Sequence, residues 1–275
     1  MGELVRGDDD LPVESDVGEW VDDEYRVLRT YLDYQAHARR RFLARGKAGA
    51  CYIDLFCGPG RALVRRSNRY VDGSPVLAWR ASVEQGESFS AVYIADKDDT
   101  RRLACEERLR RLGAPVVSIA GDALGAAREV VRLLPAAGLH FAFIDPYSLG
   151  ELRFEILSTL AAMQRIDMMV HLSAMDLFRN LEANAAGEQD EFDAFAPGWR
   201  ERVPLRLSTP ALRQAVMDYW RGLVAGLKAD AGTEMKRVLN SQNRDLYWLL
   251  LISRHELARK FWRVALNSDP QRPLI

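Results

Sequence analysis

Long apolar runs are missing from this chain of 275 residues. No stretch approaches the roughly 18 consecutive apolar residues that a membrane span needs, so no spanning role is expected. Cysteine is scarce, and Cys51, Cys57 and Cys105 are too few and too irregularly spaced for a disulfide framework or for zinc held by Cys-x-x-Cys pairs. Histidine is equally thin: His37, His140, His171 and His255 show no ligand spacing, so no metal is assigned, and His140 and His171 read as core or strand-end residues. A basic, then apolar, leader is also lacking, since the first eleven residues are acidic. These absences place the protein in a reducing, cytoplasmic setting. What is present is a 48% apolar, 28% charged chain, enough to bury a sizeable core.

A formal net charge of -1 hides an asymmetry. Residues 1–24 hold ten acidic side chains against the single Arg6, a net of -9, which leaves +8 on the rest. Only five of 38 cations are lysine, and arginine is the better fork for phosphates and carboxylates. Residues 1–18 lack apolar periodicity and read as an acidic, disordered tail. Residues 19–48 carry a helical pattern, with Val21, Tyr25, Leu28, Tyr31 and Leu32 on one face, and predict a helix packed on the core.

From there, short β-rich runs alternate with helical patterns, the signature of a parallel sheet with helices on both faces. Strands are predicted at 50–56, 91–95, 116–120, 140–144 and 168–172, and helices near 75–85, 100–112, 125–133 and 154–164. Residues 174–231 break the rhythm and predict a helical insertion that caps a substrate or partner site, with a long helix over 209–228. Two strand-like runs at 235–239 and 246–253, joined by a polar turn at 240–245, and a helix at 255–266 close the chain. The fold class is therefore α/β: a doubly wound, Rossmann-like sheet built from 49–173 and 232–275, with a terminal antiparallel strand pair as in class I methyltransferases.

Chemistry concentrates where strands end. Tyr52-Ile53-Asp54-Leu55-Phe56-Cys57-Gly58-Pro59-Gly60 delivers a carboxylate and then a glycine turn at the place where open α/β sheets bind ligands. Gly58-Pro59-Gly60 lacks the third glycine of a dinucleotide fingerprint, which disfavours NAD and FAD. The Asp-x-Phe-x-Gly-x-Gly arrangement instead resembles motif I of S-adenosylmethionine-dependent methyltransferases. That resemblance implies cofactor contacts by Asp54, Phe56, Gly58 and Gly60. It also implies that Asp96, ending the second strand, accepts from both ribose hydroxyls and that Asp122, ending the third, meets the adenine amino group.

The fourth strand ends Asp145-Pro146-Tyr147-Ser148 and resembles motif IV of amino-group methyltransferases, though with one proline where nucleic-acid enzymes have two. It implies that Asp145 and the Pro146 carbonyl hold an acceptor amine while Tyr147 stacks on a flat substrate. After the glycine turn, Arg61, Arg65, Arg66 and Arg69 with Tyr70 form a basic segment that either guides an anionic substrate or is a solvated loop; Arg61, Arg65 and Ser74 are the candidate substrate contacts. Together with Gly73-Ser74-Pro75 and the Ser253-Arg254-His255 turn leading to Phe261-Trp262, these stations make the chain resemble the three-Cys-motif partner protein family.

Two readings follow. The first is an S-adenosylmethionine-dependent enzyme that N-methylates a planar amine such as a nucleobase or nucleoside, free or within a nucleic acid. The second is a non-catalytic scaffold partnering a radical-type three-cysteine protein.

Overall fold

A computed structural model describes residues 2–65, 67–232, 234–239 and 244–268. The chain opens with β1 (Leu4–Arg6), β2 (Pro12–Val17) and a long helix α1 (Val21–Leu43). The central strand β3 (Ala50–Asp54) is followed by a hairpin, β4 (Arg61–Val64) and β5 (Arg69–Asp72), and by α2 (Ser74–Glu84). Strand and helix then alternate through β6 (Ala91–Asp96), α3 (Asp99–Arg111), β7 (Val116–Ala120), α4 (Ala123–Leu133), β8 (Leu139–Ile144), α5 (Phe154–Leu160) and β9 (Ile166–Ser173). Four helices follow, α6 (Ala174–Ala186), α7 (Glu191–Phe195), α8 (Trp199–Arg202) and α9 (Thr209–Gly226), before β10 (Met235–Leu239), β11 (Asp245–Ile252) and α10 (Glu256–Leu266) close the chain.

Seven strands make the main sheet in the order β10-β11-β9-β8-β3-β6-β7. The run from β9 to β7 is parallel, and β11 and β10 finish it antiparallel. This is the doubly wound sheet with a terminal antiparallel pair that the strand pattern predicts. All five residues of β3 are buried, because helices cover both faces. One face packs Val27, Leu28, Tyr31 and Leu32 of α1 with apolar residues of α2, α3 and α10. The other packs α4, α5 and the insertion helices, whose Phe192, Phe195, Trp199 and Trp220 are fully buried. The predicted turn at 240–245 lies outside the described residues except for Arg244 and Asp245, as does Arg66 of the basic segment.

The first eighteen residues correct the sequence-based expectation of a disordered tail. They form the antiparallel pair β1–β2, and β2 adds in parallel to β4, which pairs antiparallel with β5, giving a second, four-stranded sheet. Arginine fixes the acidic segment in place. Arg108 of α3, 5% exposed, grips both Asp9 oxygens at 2.7 Å and also donates to the carbonyls of Pro12 (2.8 Å) and Pro59 (2.5 Å). Arg61 forks onto Asp8, and Arg101 pairs with Glu14. Removing this arginine strands the Asp9 carboxylate and leaves the Pro12 and Pro59 carbonyls without their donor. Arg108→Ala should therefore lower unfolding free energy by about 3 kcal/mol in urea denaturation. Asp9→Ala should cost less, because Arg108 keeps its carbonyl partners.

Candidate active site

Every parallel strand presents its carboxyl end to one edge of the sheet, and there a cavity of about 640 Å³ opens. Its floor is the turn after β3. Gly58 and Gly60 adopt φ of +53° and +77°, conformations that side chains disfavour. A Cβ on Gly60 would press on Cys105 at 3.0 Å, whereas one on Gly58 would meet nothing within 4 Å, because that position faces open space.

Asp54 is fully buried and does not itself line the cavity. Its Oδ1 accepts from the Phe56 N–H (3.1 Å), and its Oδ2 accepts from the hydroxyls of Ser74 (2.7 Å) and Tyr52 (3.2 Å). Burial pushes its pKa up to about 7, while the Ser74 and Phe56 hydrogen bonds pull it back. Asp54 therefore braces two residues that do line the cavity, Phe56 and Ser74, where motif resemblance implied direct cofactor contact.

Asp96 is on the wall. Its oxygens accept from the N–H groups of Gly58 (3.0 Å) and Asp98 (2.9 Å), which leaves one lone pair on each for a ligand; burial raises its pKa. Asp122 also lines the cavity and caps α4 by accepting from the Gly125 N–H. Of the expected substrate residues, Ser74 lines the cavity but is committed to Asp54, and Arg61 lines it with its guanidinium pinned between Asp8 and Asp72. Arg65 is not part of the described lining, and its N–H donates to the Val17 carbonyl at 2.7 Å. The segment, expected as a loop, is the β4–β5 hairpin, in which Arg61 pairs with Asp8 and Asp72 and Arg69 with Asp22.

No described residue of 174–231 lines this cavity; α7 borders an adjoining recess with Gly150, Glu151 and Arg153, which line both. The roof comes instead from the N-terminal segment: Glu14, Val17, Gly18, Trp20 and Val21.

Beyond β8, Asp145, Pro146 and Tyr147 form the far wall, with Tyr147 68% exposed at the rim. Asp176 steadies this loop by accepting from the Leu149 N–H at 2.9 Å. Two partners of Asp145 escaped sequence reasoning. His171 on β9 sets its Nδ1 directly against Asp145 Oδ1, with the Tyr247 ring edge-on to the imidazole at 4.0 Å. Glu24, in the first turn of α1 and 5% exposed, completes a group whose ligand atoms all lie within 4.8 Å of one another. The spacing Val21, Glu24, Leu28 already puts Glu24 on the buried helical face, a signal outweighed by its charge. Burial, and next the Asp145 charge, push Glu24 up to about 8. For His171, burial disfavours the charged form, but Asp145 and Glu24 outweigh it and the pKa is raised.

No protein-family model matches the chain, and no curated protein is similar to it in sequence. Among solved structures it is similar to a protein from Legionella pneumophila, with 11% identity and a TM-score of 0.49 over 88% of this chain and 92% of that one. It is also similar to M. jannaschii TYW2 in complex with AdoMet, with 9% identity and a TM-score of 0.38 over 80% and 74% of the two chains. For geranyl diphosphate C-methyltransferase from Streptomyces coelicolor A3(2), the figures are 11%, 0.37, and 80% and 78%.

A carboxyl held neutral by burial stabilises the fold below its ordinary pKa, and that stability is lost as pH rises through the folded value. Glu24, moved from 4.5 to about 8, should therefore make the melting temperature fall between about pH 5 and pH 9. Glu24→Gln should flatten that fall without abolishing it, since Asp54 contributes in the same direction. Thermal melts across the pH series check this.

Proposed function

We propose that the protein transfers a methyl group from S-adenosylmethionine to a nitrogen of a planar amine held by Asp145, Pro146 and Tyr147. The observation that carries this reading is the convergence, on one cavity, of the Gly58–Gly60 turn, the Asp96 carboxylate and the Asp145-Pro146-Tyr147 wall. The open space above Gly58 and the spare lone pairs of Asp96 suit a cofactor with a ribose, and Asp122, on the same cavity, is our candidate acceptor for an adenine amino group. The cofactor supplies an electrophilic methyl on a sulfonium. The protein's part is positioning: Phe56 and Ser74, braced by Asp54, shape the floor, Asp96 orients the cofactor, and Asp145 with the Pro146 carbonyl aims the acceptor nitrogen. Tyr147, exposed at the rim, offers a face for a flat substrate to stack on. With its three cysteines free and buried, the chain suits a reducing cytoplasm.

Calorimetric titration with S-adenosylmethionine and S-adenosylhomocysteine, with NAD as control, tests the reading. Wild type should bind both adenosyl compounds and not NAD. Asp96→Asn should weaken them by at least about tenfold through lost acceptor strength, and Asp54→Asn should weaken them through a loosened floor. Absence of binding by wild type would remove the proposal.

A further inference from the structure

We infer that the acceptor end of the cavity is a site for a planar nitrogen cation of the amidinium or guanidinium type, clamped between Glu24 and Asp145. This rests on the methyl-transfer reading and narrows its substrate.

The argument begins with charge. Every described cation lining the cavity already faces a carboxylate: Arg61 faces Asp8 and Asp72, Lys97 faces Glu151, Arg101 faces Glu14 and Arg153 faces Glu155. The acidic residues at the far end have no such match. Among the described residues, no lysine or arginine pairs with Glu24 or Asp145, and the imidazole of His171 stands alone against the two carboxylates.

Hydrogen bonding points the same way. Glu24 Oε1 is buried and has no hydrogen-bond partner among the described residues. Burial favours the neutral form of Glu24, to which Tyr247 is hydrogen-bonded; an arriving cation draws Glu24 into its charged form and supplies the donors that Oε1 lacks. Amidinium and guanidinium groups offer several coplanar N–H donors, can bridge two carboxylates, and stack on an aromatic face such as Tyr147 at the rim. Because the ligand atoms of Glu24, Asp145 and His171 lie within 4.8 Å of one another, a divalent metal ion is the competing occupant, and the test includes it.

The chemistry balances. The acceptor nitrogen first gives a proton to the Asp145–His171 pair, which frees the lone pair that forms the new N–C bond. The S–C bond breaks as that bond forms, the sulfur keeps its electron pair, and the product is again a monocation. Groups facing that pair are Glu24 from α1, Tyr247 from β11 and Asp176 from α6.

The test uses benzamidine and benzamide, which are nearly isosteric and differ in charge. The full chain is titrated calorimetrically with each at neutral pH, with and without saturating S-adenosylhomocysteine, and with MnCl2 in a separate arm. Wild type should prefer benzamidine by at least about tenfold, and the preference should shrink to about twofold in Glu24→Gln and in Asp145→Asn. Should one variant fail to melt cooperatively, the other decides. Equal binding of the two probes, or a preference unchanged in the folded variants, overturns the inference. So does one Mn2+ per chain weakened by Glu24→Gln. If S-adenosylhomocysteine binds and the charge preference is absent, methyl transfer stands without the clamp. If the preference is present and S-adenosylhomocysteine fails to bind, the cation site stands and the methyl-transfer reading falls.

Discussion

A carboxylate stripped of water at the end of the central strand governs the geometry of the whole carboxyl edge. Asp54 is tolerable there only because three donors reach it, and one of them, Ser74, comes from twenty residues further along. The intervening chain must therefore return to its starting point. It does so through a narrow neck, where the Gly73 N–H donates to the Gly60 carbonyl at 2.8 Å and a Cβ on Gly73 would lie 2.9 Å from the Gly60 backbone. What is pinched off is the β4–β5 hairpin, whose open edge accepts β2. Through β2 the same constraint brings Glu14, Val17 and Trp20 over the cavity and then leads the chain into Glu24.

The opposite edge of the sheet offers an instructive contrast. Asp167 is as dry as Glu24, but Tyr31, Gln35 and Ser253 satisfy it, at 2.9, 3.3 and 2.6 Å. Beside it Arg254 donates to the carbonyls of Ala161, Met163 and Leu227. The Ser253-Arg254-His255 turn is thus a clasp between the end of β11, α1 and the insertion. The difference between the two carboxylates is saturation: Asp167 has all the donors it needs from its own chain, and Glu24 does not.

Much of this was legible from residue order. Runs of apolar, β-branched residues mark the seven sheet strands to within two residues, because a strand buried on both faces tolerates little else. The glycine turn and the Asp145-Pro146-Tyr147 loop are equally visible, since backbone conformation and rigidity are properties of the residues themselves. What could not be read were features whose cause lies elsewhere in the chain. Residues 1–18 have few apolar anchors, and their partners Arg61, Arg101 and Arg108 are fifty to a hundred positions away. His171 is an ordinary strand histidine until β8 and β9 are laid side by side and Asp145 meets it.

The roof of the cavity has a consequence for how the molecule is made. Asp9 and Arg108 are 99 positions apart, so on the ribosome the residues of β1 and β2 emerge long before α3, the surface that holds them. Until β3, its hairpin and α3 have been made, β1 and β2 have only each other to pair with. The roof of the cavity thus rests on partners that are translated after it, β4 and α3.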